Sequence, residues 1–275
     1  MKLKILTANI AFGIPKMSNI FVNVYTHLVI HGRSMLTLFL NPKALKDKAG
    51  YLKPARFKYF EKHNSLKSIT SLIEKESPDI LVLNEVLKQF QQGELEATLK
   101  KLGYKSISFG FSRHYDDATV SSLVASKAKA VPVAIDFPQG SHPGGGGGIA
   151  ALRFAESMLT VIGAHLCYAN FTWLYGPEIE AISDFISKEI ASGRKVVTAG
   201  DWNESSHTIN AYPSFSKLNL KNAEADIKTC PTFFPKSKLK PLDHIFTPSD
   251  WQTLDAKTAP FGSDHLAVIA EVETK

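Results

Sequence analysis

Lys195-Val196-Val197-Thr198-Ala199-Gly200-Asp201-Trp202-Asn203 places a short run of apolar and small residues directly before an acid and an amide. A run this short reads as a buried strand rather than a helix, and the polar side chains past its end belong at the rim of a sheet. The arrangement recurs along the chain. Leu3–Ala8 leads into Asn9, and Ile80-Leu81-Val82-Leu83-Asn84 closes on Glu85. Asp243-His244 sits between Leu242 and Ile245-Phe246, and Ser263-Asp264-His265 precedes Leu266-Ala267-Val268-Ile269. One Asp after a strand usually caps a turn through its side chain. Five strand ends carrying Asn, Glu, Asp/Asn, Asp and Asp/His, in that order, point instead to shared chemistry.

Further strands are predicted at Ile149–Phe154 and Leu159–His165, a hairpin joined through Ala155–Met158, and at Val120–Ser126. Helices are predicted at Asn64–Lys75 and Pro177–Ile190. In the second, Pro177 suits the first turn, and Ile179, Ile182, Phe185, Ile186 and Ile190 form one apolar stripe. Strands outnumber helices and no linker interrupts them. The expectation is one domain over residues 1–275, an α/β (α+β) four-layer sandwich with two mainly antiparallel or mixed sheets inside and helices outside. Residues from about Ile14 to Lys62 form an insertion too long for a simple connection. There Met17, Phe21, Val24, Leu28, Met35 and Phe39 recur at roughly helical spacing, with a basic stretch from Lys43 to Lys62 behind them. It reads as a helical insertion packed on the domain, or alternatively as a lid or peripheral membrane-docking surface. His27, His31 and Arg33 exclude a transmembrane span.

The formal charge of +6 favours a polyanionic partner, nucleic acid among them. Cys167 and Cys230 are too few for a disulfide framework and lack zinc-ligand spacing. The opening Met1–Leu6 mimics a secretory signal, but Thr7 and Asn9 break its apolar run, so an intracellular, cytoplasmic protein is expected. Gly144–Gly148 is not followed by the Lys-Ser/Thr and helix of a phosphate-binding loop, and reads as a mobile hairpin connection.

Acids, amides and histidines gathered at strand ends suit phosphoester hydrolysis. That reaction needs a divalent cation on hard oxygens, an oriented water and donors around the phosphoryl group. The set also resembles the endonuclease/exonuclease/phosphatase family. The resemblance rests on Thr7-Ala8-Asn9-Ile10, Leu83-Asn84-Glu85-Val86, Ala164-His165-Leu166, Gly200-Asp201-Trp202-Asn203, Leu242-Asp243-His244-Ile245 and Ser263-Asp264-His265. It covers essentially the whole chain except the insertion. Asn84 stands where the family usually has Gln, and Trp202 where Phe or Leu is usual.

The resemblance implies Mg²⁺, with Mn²⁺ as a substitute, held by Glu85 with Asn9 and Asp264 in or next to its shell. It implies that Asp201 and Asn203 position the attacking water and the phosphate. His265, paired to Asp243, would act on the scissile phosphate, and His165 would donate to a non-bridging oxygen. Either Asp201 or His265 could be the formal base. His244 should face the opposite side of its strand as a structural residue. Tyr168, Phe171, Trp173 and Tyr175 suit either a substrate rim or the core, and Arg113 either a phosphate contact or a solvated turn. The leading expectation is a nuclease-like phosphodiesterase acting on nucleic acid. The alternative is a phosphatase or phospholipase acting on inositol phosphate or phospholipid. A non-catalytic binding module ranks last, because no site position is missing, and no partner protein is predicted.

Overall fold

The computed structural model describes residues 1–10, 66–111, 120–137, 148–167, 172–224, 227–229, 240–263 and 265–274. The 14–62 insertion, Arg113, Gly144–Gly147, Tyr168, Phe171, Cys230, Asp264 and the side chain of Trp173 lie outside that description. Among the described residues, twelve strands form two six-stranded sheets. Sheet one contains β1 (Lys2–Asn9), β2 (Ile80–Leu87), β3 (Ser106–Phe111), β4 (Val120–Ser126), β11 (Gln252–Ala259) and β12 (Ala267–Glu273), in the order β11-β12-β1-β2-β4-β3. Sheet two contains β5 (Val131–Pro132), β6 (Gly148–Phe154), β7 (Leu159–His165), β8 (Lys195–Asp201), β9 (Leu220–Asn222) and β10 (Asp243–Pro248), in the order β5-β6-β7-β8-β10-β9. Each is mixed, with one parallel pair, β1–β2 in the first and β7–β8 in the second.

The strand period of two explains the layers. Ile5, Val82, Val161, Val197 and Ile245 point into the core between the sheets. Their chain neighbours Leu6 and Leu81 in sheet one point outward, to Ile69 and Leu72 of α1 (Lys67–Glu76) and Leu95 and Leu99 of α2 (Lys88–Lys101). In sheet two Ile162, Val196 and Phe246 point outward to Ile179, Ile182 and Ile186 of α3 (Thr172–Ala191). Two short helices follow β8, α4 (Ser206–Asn210) and α5 (Pro213–Ser216). The result is helix, sheet, sheet, helix, the expected four-layer sandwich. Among the described residues no helix is long and apolar enough to cross a membrane.

Two local expectations need correction. Pro177 is the sixth residue of α3, so its missing N–H falls beyond the first turn, whose N–H groups have no partners in the helix. Ile190 faces solvent, because Glu189 takes the inward position at that turn and pairs with Arg153 of β6 and Thr160 of β7.

The sheets lie in close contact beside the hairpin start. A Cβ added at Gly110 of β3 would lie 1.8 Å from Ile149 O of β6, in the other sheet. Gly110→Ala is therefore expected to lower the unfolding free energy by roughly 3 kcal/mol, the upper part of the usual range for overpacking. Urea denaturation of the variant would check this. A loss below about 1 kcal/mol would mean that the sheets can part there at little cost.

Candidate functional site

Residues at the same ends of both sheets come together. The ladders set much of this by register. His165 stands opposite Asp201 in the β7–β8 pair, and Asp243 stands opposite Asp201 in the β10–β8 pair. Asp201 is the hub. Its Oδ2 accepts from Asn9 Nδ2 at 2.8 Å and lies 3.7 Å from His165 Nε2 and 3.9 Å from His265 Nε2. Its Oδ1 accepts the Asn203 N–H at 2.9 Å. His265 Nδ1 meets Asp243 Oδ2 at 2.7 Å, which fixes Nδ1 as the donor and turns Nε2 toward Asp201. His165 Nε2 also lies 3.9 Å from Glu85 Oε1.

Backbone irregularities aim these groups. The β2–β4 pairing shifts by one residue between Leu83 and Val86, and within that bulge Glu85 adopts φ +59°. A bulge turns a side chain off the regular pleat. Glu85 thereby faces the cleft while Leu83 and Val86 stay in the core. Asn203 has φ +53° and donates from Nδ2 to Leu166 O at 2.8 Å, closing the turn after β8 onto the turn after β7. Gly200 allows the approach of β7, since a Cβ there would sit 1.9 Å from Ala164 O.

Burial shapes the electrostatics. Burial, and then the nearby Asp243, push the Asp201 carboxyl up to about 7, against the pull of His265 and the N–H bonds from Asn9 and Asn203. The His165 ring is pushed down to about 4 by burial and then by His265, with Asp243 opposing. His165 is thus neutral at pH 7, a hydrogen-bond donor without a full charge.

Seven of the eight residues singled out in the sequence, Asn9, Glu85, His165, Asp201, Asn203, Asp243 and His265, are joined by these contacts. The eighth, Asp264, lies outside the described residues. His244 points to the other face of β10, fully buried, as its position next to Asp243 predicts. Tyr175 is core rather than rim, and its hydroxyl donates to Trp202 O at 2.9 Å. Trp202 is buried edge-on against Phe215 and Phe246, an anchor beneath Asp201 and Asn203.

Two positioning groups escaped the sequence reading. Thr229 Oγ1 accepts from Leu242 N at 3.2 Å and Asp243 N at 3.1 Å, while Thr229 O accepts from Leu266 N at 2.7 Å. It ties the start of β10 to the residue following His265. Glu178 of α3 accepts the Cys167 N–H at 2.7 Å beside His165, and burial pushes its carboxyl up to about 7. No periodicity or motif marks Thr229, and Glu178 looks like one more polar residue of an amphipathic helix.

A sequence profile of the Endonuclease/Exonuclease/phosphatase family matches residues 57–265. A search of curated proteins finds no match. Among solved structures, an endonuclease/exonuclease/phosphatase from Beutenbergia cavernae DSM 12333 superposes with a TM-score of 0.67 at 16% identity, over 99% of this chain and 72% of the other. ANGEL2, described as a 2',3'-cyclic phosphatase and solved with adenosine-2',3'-vanadate, gives 0.62 at 14% identity, over 99% and 95%. A humanized D. rerio TDP2 gives 0.60 at 15% identity, over 99% of both chains. At such identities the superpositions establish a common fold.

Proposed function

Because the chain belongs to the Endonuclease/Exonuclease/phosphatase family, whose members hydrolyse phosphoester bonds, we propose that it is a Mg²⁺-dependent phosphodiesterase acting on nucleic acid. The observation that carries this reading is Asp201, set among Asn9, Asn203, His165 and His265 at the open ends of two sheets. The formal charge of +6 supports a polyanionic substrate. The nucleoside vanadate held by ANGEL2 supports a nucleotide one.

The donor set suits a hard divalent cation. Glu85, Asp201 and Asp243 are carboxylates, and Asp201, Asp243 and His265 offer ligand atoms within 4.8 Å of one another. Asp243 Oδ1 is buried without a hydrogen-bond partner, a state that an adjacent cation or its water would relieve. Glu85, with Asn9 and Asp264, is assigned to hold Mg²⁺. When bound, the ion supplies a Lewis acid that offsets the charge growing on the phosphoryl oxygens.

The remaining roles belong to side chains. Asp201, its proton affinity raised toward neutrality, orients the attacking water and takes its proton. Asn203 holds the second carboxylate oxygen of Asp201 in place. His265, its tautomer locked by Asp243, presents Nε2 to the scissile phosphate. Neutral His165 donates a hydrogen bond to a non-bridging oxygen as charge accumulates there.

The test is metal-dependent turnover of bis-p-nitrophenyl phosphate against p-nitrophenyl phosphate, followed by plasmid DNA, RNA and phospholipid vesicles. Preference for the diester and for a nucleic acid is expected. Monoester preference, or turnover of vesicle lipid alone, would shift the assignment to a phosphatase or phospholipase. Glu85→Gln bears on the metal. It removes a charge but keeps an oxygen, so activity should fall at low Mg²⁺ and recover as Mg²⁺ is raised. If no Mg²⁺ concentration restores kcat, Glu85 does more than hold the ion.

A further inference from the structure

The chemistry above leaves Asn84 without a task, yet this side chain is fully buried where the two sheets meet beneath the cleft. Its Nδ2 donates to Ser122 Oγ at 3.0 Å and to Ala164 O at 3.1 Å, and its Oδ1 accepts from Asp201 N at 2.9 Å. Ser122 Oγ donates in turn to Gly148 O at 2.7 Å. Asn84 and Ser122 belong to sheet one, on β2 and β4, whereas Gly148, Ala164 and Asp201 belong to sheet two, on β6, β7 and β8. Two side chains thus bridge the sheets to three successive strands.

Around this bridge the space between the sheets is filled by Val82, Val124, Val161 and Val197. Apolar contact of that kind resists separation but has little preference for one lateral alignment over another. Hydrogen bonds are directional, and a buried amide that loses a partner is left unsatisfied in a medium without water. Both N–H groups of Asn84 and its carbonyl are engaged. A carboxylate in its place could not donate to Ala164 O, and an alkyl side chain would leave the Asp201 N–H unpaired. Gly110, opposite Ser122 in the β3–β4 pair, lets the sheets close at this level.

The neighbours of the bridged atoms are the groups that matter. Glu85 follows Asn84, His165 follows Ala164, and Asp201 is itself held by its backbone nitrogen. We propose that Asn84, braced by Ser122, is a positioning residue that sets the spacing between Glu85 on sheet one and His165 and Asp201 on sheet two. Its effect on turnover rests on the phosphodiesterase reading above, but the bridge can be measured without it. Asn84 does not touch the reacting atoms. It acts through the backbone of the strands that carry them, and a shift of about 1 Å at such a site can lower the rate about 10²-fold.

The experiment compares wild type, Asn84→Ala and Ser122→Ala. It measures kcat and KM on bis-p-nitrophenyl phosphate at saturating Mg²⁺, below each variant's melting temperature, with hydrogen exchange at the Asp201 amide followed by NMR. Asn84→Ala is expected to lower kcat about 10- to 100-fold with KM within about twofold, and to speed exchange at Asp201. Ser122→Ala keeps the Asn84 bonds to Ala164 and Asp201, so a smaller loss of kcat, about threefold, is expected. A merely structural role would lower the melting temperature and leave kcat per folded molecule unchanged. That result, or an Asp201 amide as protected in Asn84→Ala as in wild type, overturns the proposal. If Asn84→Ala does not fold, wild-type kcat in Ser122→Ala overturns it. An inactive wild type would defeat the phosphodiesterase reading instead, while exchange at Asp201 would still report on the bridge.

Discussion

His265→Ala lowers kcat by about 10²–10³-fold, leaves the fold intact and is not rescued by Mg²⁺: this is the expected result of removing one oriented group from a buried site. The ring is held at Nδ1 by Asp243, 2.7 Å away, and its other nitrogen faces Asp201 Oδ2 at 3.9 Å. His265 is assigned to the phosphate and not to the ion, so mass action of Mg²⁺ has nothing to replace. Asp201→Ala should behave likewise for a different reason. Its carboxylate is the shared acceptor for Asn9 Nδ2 and the Asn203 N–H, so its loss removes the proposed proton acceptor and two hydrogen bonds that hold the site together. Turnover measured against Mg²⁺ concentration for both variants, with Glu85→Gln alongside, checks the assignment. A fully active His265→Ala, or full recovery of Asp201→Ala by metal, would falsify these roles.

The second large effect concerns stability. His244→Leu should cost about 3 kcal/mol, the upper part of the range found when a buried polar group loses its hydrogen-bond partner. The His244 and Glu224 side chains have no solvent exposure. Nδ1 lies 2.8 Å from Glu224 Oε1, and Nε2 lies 2.8 Å from Glu204 O. Nδ1 thus lies against the carboxylate, with Asn222 Nδ2 also 3.2 Å away, and Nε2 lies against a backbone carbonyl, so the ring is held at both ends. Glu224 also accepts the Ile245 N–H at 3.0 Å, which draws strand β10 into the pair. Leucine fills similar space but strands Glu224 without its partner. Chemical denaturation gives the loss directly, and His244→Leu with Glu224→Leu should recover part of it. If the single variant lost less than about 1 kcal/mol, Glu224 would have found water or another donor.

Much of the site could be read from the chain because buried strands are short and apolar. Asn9, Glu85, Asp201 and Asp243 break or end such runs, and register then brings His165 and Asp243 to either side of Asp201. His244 followed from the period of two. The elements that escaped notice have weaker patterns. The α2 helix buries only Gln91, Leu95 and Leu99 among charged residues, and β11 is a half-exposed edge strand without clean alternation. Asn84 resembled a shortened version of a common residue, and only the three-dimensional distances reveal a side chain spanning two sheets. The left-handed turn at Glu85 leaves no trace in residue type, because glutamate is not a residue that favours it.

That turn sets function against durability. Asparagine tolerates positive φ, so Asn203 at +53° adds little strain, whereas a glutamate at +59° carries a penalty on the order of 1–3 kcal/mol. Glycine at position 85 would relieve the strain while deleting the carboxylate. A laboratory selection that rewarded heat resistance alone would therefore be drawn toward Glu85→Gly, and its survivors would be sturdier proteins without the carboxylate proposed to hold Mg²⁺. Retaining Glu85 in such a population requires that activity be selected in the same round.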